Sequence, residues 1–368
     1  MRVLANPHRE PEKRYPGGAG RARRVHARLP GYARTPLRHL PGLAERLGLK
    51  SLHVKDESER FGLPAFKVLG ASYAIVREIE DRCAARQLAA EWTTLDELAA
   101  LAREVGLERL VTATDGNHGR GVARVARWLG LEARVVMPGS TVPARSQAIE
   151  IEGADVRVIE GVYDEAVRLA AVDAEQSGSL LVQDTAWEGY ETIPARIVEG
   201  YSTMLEEIDE ALGNESASID LVVLPVGVGS LADAMARHFR AESRARCPEL
   251  ISVEPLGAAC LLESLARGES VSVPRVQGTM MAGLDCGTLS KISWPVLKAS
   301  VDVAMAIEDD HAARAMRALA EEGIVSGESG AAGVAALLAC PPAEGTRALV
   351  LSTEGATDPD NYARQVSN

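Results

Sequence analysis

One lysine, Lys67, stands in an apolar run, with Phe66 before it and Val68, Leu69 and Gly70 after it. An amine in such surroundings is costly to bury unless a partner or a lost proton removes the penalty. Four loops elsewhere carry groups able to do chemistry. "TATDGNHGRG" crowds Asp115, Gly116, Asn117 and His118 at a strand-to-helix turn. Small residues admit a ligand closely, Asn117 can donate to an oxygen, and Asp115 can accept or transfer a proton. A plain helix N-cap is the simpler reading of Asp115, but a cap needs neither the glycines nor the Asn-His pair. "LVQDTAWEGY" sets Asp184 at a strand end, as a reactive carboxylate or as a turn residue. "PVGVGSLADA" follows an apolar strand and opens a helix, so Gly227, Gly229 and Ser230 let backbone N–H groups meet an anion at the helix's positive end. The same loop fits a dinucleotide fingerprint, Gly227-x-Gly229-x-x-Ala232, with Glu254 ending the next strand as a ribose-binding acid. "LVLSTEG" delivers Ser352 and Thr353, hydroxyls that could face a ring nitrogen or simply make a turn.

These loops need a scaffold, and the chain supplies alternating strand-like and helix-like runs. "SLHVKDE", "RLVTAT", "EARVVMP", "DVRVIEG", "LLVQDT", "DLVVLPVG", "ELISVEP" and "RALVLST" read as strands. "AFKVLGASYAIVREIEDRCAARQL", "RGVARVARWLG", "YDEAVRLAAVDAEQSG", "SLADAMARHFRAE" and a long run near 192–213 read as helices. This order, with short Val- and Leu-rich strands, predicts an α/β fold of two open, largely parallel sheets flanked by helices, where ligands gather at strand C-termini.

Composition narrows the partners. At 46% hydrophobic but only 4% aromatic, the core must rest on Val, Leu, Ile and Ala. A net charge of −12 disfavours nucleic acid, which needs clustered cations. The arginines of the first 40 residues (Arg21, Arg23, Arg24, Arg28, Arg34, Arg38) are expected on a solvated, partly frayed terminus. No apolar run spans a bilayer and the start lacks a secretory core, so a cytoplasmic protein is expected. Five scattered cysteines lack metal spacing, and no metal is expected.

Together, "YARTPL", "RFGLPAFKVLG", "TDGNHGRG", "QDTAWEGY", "PVGVGS", "VEP", "MAGLDCG" and "TEGATDPDNY" resemble the diaminopropionate ammonia-lyases, fold-type II enzymes that use pyridoxal 5′-phosphate. Ala356 stands where that family's pattern would carry an acid. The resemblance implies that Lys67 forms an imine with the cofactor aldehyde and, with its pKa depressed by apolar surroundings, serves as a base when released. Asp115 and Asp184 would complete the proton-transfer set. Lys67 and Asp115 would serve opposite faces, so that both enantiomers of 2,3-diaminopropionate yield pyruvate and ammonia. Gly227, Val228, Gly229 and Ser230 would hold the phosphate, Asn117 the ring hydroxyl, and Ser352 or Thr353 the pyridine nitrogen. Cys260 and Cys286, in or beside matching motifs, are expected as reduced core thiols, with a disulfide the alternative. The expected layout is a large domain (30–84 and 191–368), a small domain (85–190) and an N-terminal extension (1–29), in a homodimer. The alternatives are a lyase for serine, threonine or another β-substituted alanine, a nicotinamide dehydrogenase, and a non-catalytic sensor.

Overall fold

The computed structural model describes residues 1–139, 141–274 and 278–367. Eleven strands follow in chain order: β1 (Arg2–Ala5), β2 (Leu37–His39), β3 (Ser51–Asp56), β4 (Arg109–Ala113), β5 (Glu132–Pro138), β6 (Asp155–Ile159), β7 (Leu180–Leu181), β8 (Leu221–Pro225), β9 (Glu249–Pro255), β10 (Val303–Ile307) and β11 (Arg347–Ser352). They form two sheets, one in each of two compact units: Met1–Ala19, Arg34–Glu59 and Met204–Asn368 in the larger, Gly20–Ala33 and Arg60–Thr203 in the smaller.

The larger unit holds a seven-stranded sheet in the order β1-β10-β9-β8-β11-β3-β2. Its interior pairs are parallel, and only the edge strands β1 and β2 run antiparallel. All five residues of β8 are buried, as a strand covered on both faces requires. Leu52, Val54, Val223 and Val350 pack with Ala312 and Met316 of the helix Asp309–Glu321 and Val334 of Ala332–Ala339. Alanines on those helices bring them close to the sheet, which is how so few aromatics suffice. None of the described helices is long and apolar enough to cross a membrane.

The smaller unit holds four parallel strands in the order β6-β5-β4-β7. The helix Tyr163–Ser177 lays Ala166, Ala170 and Ala174, spaced one turn apart, on Val111, Ala113 and Val136. The helix Val68–Ala85, which follows Lys67, packs on Thr192–Gly200 at close range. A Cβ on Gly70 would sit 2.6 Å from Ile197 Cγ2, and one on Gly200 2.7 Å from the Leu69 carbonyl oxygen, so glycine is required on both sides.

Two expectations change here. The compact units divide at 19/20, 33/34, 59/60 and 203/204, with the helix after Lys67 packed on Thr192–Gly200 in the smaller one. The N-terminus is not frayed: β1 pairs with β10, Arg2 opposite Ala306. Several of its arginines are held, Arg21 by Glu80 at 3.0 Å, Arg34 by Glu210 at 2.9 Å, and Arg28 by the Trp92 carbonyl at 2.9 Å. The long helix near 192–213 is two, Thr192–Gly200 and Ser202–Leu212, separated at Tyr201, whose ring packs edge-on against Phe66.

Candidate active site

In the smaller unit the strand order reverses between β4 and β7: β5 and β6 lie on one side of β4, β7 on the other. Such a switch point opens a crevice at the strands' carboxyl ends. Asp115 follows β4 and Asp184 follows β7, so parallel pairing of Leu110 with Leu180 and Val111 with Leu181 delivers both carboxylates to the same end of the sheet. Beyond Leu181 a side chain continues the ladder. The buried Gln183 amide accepts from the Ala113 N–H at 2.9 Å and returns a bond to the Ala113 carbonyl at 3.1 Å. His118 Nε2 donates to the Val182 carbonyl at 2.8 Å. That sets the tautomer and leaves the buried Nδ1 without a partner among the described residues.

Lys67 is the residue from which the helix Val68–Ala85 starts. Its Nζ donates to Asp184 Oδ2 at 2.5 Å, with the two side chains 20% and 6% exposed. Burial works against the ammonium, but the charge of Asp184, supported by Tyr201 and Asp115, outweighs it and raises the Lys67 pKa. The expected depression is therefore overturned for the free amine, because the apolar run in sequence does not exclude a carboxylate arriving from 117 residues away. Burial likewise opposes the Asp184 carboxylate, yet Lys67 and His118 pull its pKa down to about 2. Asp115 moves the other way. Burial raises it, with Arg145 and Lys67 opposing and Asp184 adding repulsion. His118 is lowered, chiefly by burial, and stays neutral. The two carboxylates are pushed apart, Asp184 towards its ionised form and Asp115 towards its protonated one. The capping alternative for Asp115 fails, since Gly116 is the N-cap of the helix Asn117–Leu129 and no side chain caps it.

Asp184→Asn is expected to destabilise the chain by roughly 2–3 kcal/mol in chemical denaturation, because it leaves the Lys67 ammonium half-buried and unpaired. The sign with pH follows from the depressed Asp184 pKa, about 2 against an ordinary 3.8. The carboxylate's stabilisation is complete above about pH 4 and is lost as the pH falls towards 2. In the Asn variant that part of the acid limb disappears.

In the larger unit β8 and β11 are parallel neighbours, and the chain runs outward from β8 through β9 to β10 before returning to insert β11 beside β8. The carboxyl ends at this second switch point carry Gly227–Ser230 and Ser352–Thr353. Gly229 has φ +94° and caps the helix Ser230–Phe239, a conformation that favours glycine. A Cβ on Gly227 would lie 3.0 Å from the Gly283 carbonyl oxygen and 3.2 Å from Cys286 Sγ, so only glycine keeps this turn open. Ser352, buried, donates through Oγ to Ser326 Oγ at 2.8 Å, and Thr353 is buried beside it. Neither Cys260 nor Cys286 is in a disulfide, and the Cys260 Sγ–H points at the Gly227 carbonyl at 3.6 Å. Glu254 is fully buried. It accepts from the N–H groups of Leu261 and Leu262 at 2.7 and 2.9 Å, and burial pushes it up to about 8. A carboxyl spent on the N-terminus of the next helix, Cys260–Arg267, cannot hold a ribose, which removes the basis of the dinucleotide reading.

These residues suit pyridoxal phosphate. A buried amine matches its aldehyde, a glycine turn at a helix N-terminus matches its phosphate, and strand-end hydroxyls match a neutral ring nitrogen. Unfilled polar atoms point the same way, since Tyr201, fully buried near Lys67, has a hydroxyl without a partner among the described residues. Neither Tyr201, Gln183, Ser326 nor Arg145 was singled out by sequence.

Residues 28–354 match the pyridoxal-phosphate dependent enzyme family. The diaminopropionate ammonia-lyase of Salmonella typhimurium is 39% identical over 367 residues, covering 93% of this chain and 90% of that protein. The crystal structure of the Escherichia coli diaminopropionate ammonia lyase in complex with D-serine aligns with a TM-score of 0.90 at 34% identity, over 99% of this chain and 96% of that one. The same enzyme with an aminoacrylate-PLP azomethine reaction intermediate aligns at 0.89, with the same identity and coverage. With its lysine, its carboxylates at one switch point and its glycine turn at another, the chain belongs to the diaminopropionate ammonia-lyase family of pyridoxal-phosphate dependent enzymes.

Proposed function

We propose that the chain eliminates the β-amine of 2,3-diaminopropionate, in either enantiomer, to give pyruvate and two molecules of ammonia. The observation that carries this reading is the Lys67–Asp184 pair at 2.5 Å with Asp115 in the same electrostatic cluster. The relatives bearing the diaminopropionate ammonia-lyase name support it.

Lys67 would hold the cofactor through its aldehyde carbon, Gly227, Val228, Gly229 and Ser230 would offer backbone N–H groups to its phosphate, Asn117 would serve the ring hydroxyl, and Ser352 or Thr353 the ring nitrogen. Once bound, pyridoxal phosphate supplies an electron sink for charge developing at the substrate Cα. Lys67, as a free amine, would take the Cα proton on one face, and Asp115 would take it on the other. An amine leaves only when protonated, so the site must keep a proton near the β-nitrogen. Asp184, ionised throughout the neutral range, holds that proton on Lys67 rather than donating one of its own. Buried His118 stays neutral and holds the Val182 carbonyl, two residues before Asp184. The protein acts in the cytoplasm as a homodimer.

The test supplies the holoenzyme with D- and L-2,3-diaminopropionate, L-serine and L-threonine and measures keto acid and ammonia. Two ammonia per pyruvate from both diaminopropionate isomers, with kcat/KM above that for either hydroxyamino acid, is the expected result. Faster turnover of serine or threonine would make this a dehydratase.

A further inference from the structure

Arg145 lies in the first turn of the helix Pro143–Glu150. Its stem runs along Gly116, the residue next to Asp115: Cδ, Cγ and Cβ are 3.1, 3.5 and 3.6 Å from where a Cβ on residue 116 would be. A side chain at 116 would push that stem away, so the glycine of "TDGNHG" makes room for this arginine. No hydrogen bond or ion pair ties the guanidinium to another described residue. Its field falls on Asp115, where burial and Asp184 act against the charge, and Arg145 and Lys67 act for it. The two cations are not equivalent. Lys67 is already paired with Asp184 at 2.5 Å, and a lysine bonded to an aldehyde carbon is no longer a free ammonium. A guanidinium keeps its charge at any pH the enzyme meets.

We propose that Arg145 is a positioning residue that keeps Asp115 in its ionised, proton-accepting form, and so sets the lower pH limit for turnover of the isomer whose proton faces Asp115. This rests on the reading of Asp115 as the base of one face. The groups facing Asp115 are Arg145, Lys67 and Asp184, and of these Arg145 alone is a permanent, uncommitted cation.

The experiment compares wild type, Arg145→Met and Arg145→Lys as full-length holoenzymes, through the pH dependence of kcat/KM for each isomer. Arg145→Met is expected to move the acid limb for the D-isomer upward by roughly one pH unit, a loss of about tenfold below the limb. The limb for the L-isomer stays in place, and Arg145→Lys restores most of the shift. A second readout does not depend on turnover: carbon NMR of aspartate-labelled chain, in which the Asp115 signal is identified by its absence from Asp115→Asn. Its titration midpoint rises in Arg145→Met. An unmoved Asp115 titration, or equal displacement of both isomers' limbs, overturns the inference. Failure of the underlying reading looks different: Asp115→Asn would then leave D-isomer turnover intact while the Asp115 carbon still responded to Arg145.

Discussion

Lys67→Ala abolishes the visible absorption of the holoenzyme and lowers pyruvate formation from either isomer by on the order of 10⁴-fold or more. Both effects come from one nitrogen. On the proposed reading it would bond the cofactor's aldehyde carbon and serve as the base for one face of the substrate, so its removal would take away the covalent tether and a proton carrier together. Asp184 also loses the charge that pulls its pKa down to about 2, and it rises towards the protonated form that burial favours. Free cofactor can still occupy the glycine turn, so bound phosphate without the coloured linkage is the expected state. Absorption spectra before and after dialysis, with turnover measured on the same sample, check this. A variant that remains coloured and active would place the linkage on another lysine. Lys55, the other buried amine of this region of sequence, is committed to Glu207 at 2.7 Å and to the Thr35 carbonyl at 2.8 Å.

Asp115→Asn separates the two isomers. An amide keeps the size of the side chain but cannot accept the proton. Turnover of D-2,3-diaminopropionate is expected to fall by about 10²–10⁴-fold, the usual range for losing a general base. The L-isomer, served by Lys67, is expected to lose no more than about tenfold, through the altered charge around Lys67. The raised Asp115 pKa adds a pH signature to the wild type. If Asp115 is the base for the D-isomer, as proposed, turnover of that isomer needs the ionised carboxylate, and its acid limb is expected at higher pH than that of an ordinary aspartate. Kinetics of both isomers across pH, on folded variant protein, decide the matter. An equal loss on both would remove the two-face assignment.

Much of this arrangement could be read before any fold was known. The short apolar strands, the helical periodicities and the loops "TDGNHG", "QDTAW" and "PVGVGS" are local, because a strand's burial, a helix's stripe and a turn's glycines depend on residues close in the chain. They suffice for an α/β chain with reactive groups at strand C-termini, and their joint spacing suffices for the family resemblance. Where local signal was thin, elements went unnoticed. The edge strand β1 has four residues, and β10, "VAMAI", alternates valine, methionine and isoleucine with alanine, which favours strand only weakly.

What sequence could not decide depends on distance through space. The ionisation of Lys67 turned on Asp184, brought in by the pairing of β4 with β7, and electrostatics at 2.5 Å outweighed the apolar neighbours visible along the chain. The fate of Glu254 turned on two backbone N–H groups seven and eight residues further on, in the first turn of the next helix, which converted a candidate ribose ligand into a structural cap. The packing of the helix after Lys67 turned on a Gly70–Gly200 contact between helices more than a hundred residues apart. Residue types and local spacing determined which groups could react. Only tertiary structure decided which charges meet, because a pKa is set by burial and by the nearest opposite charge, and neither is a property of neighbours in sequence.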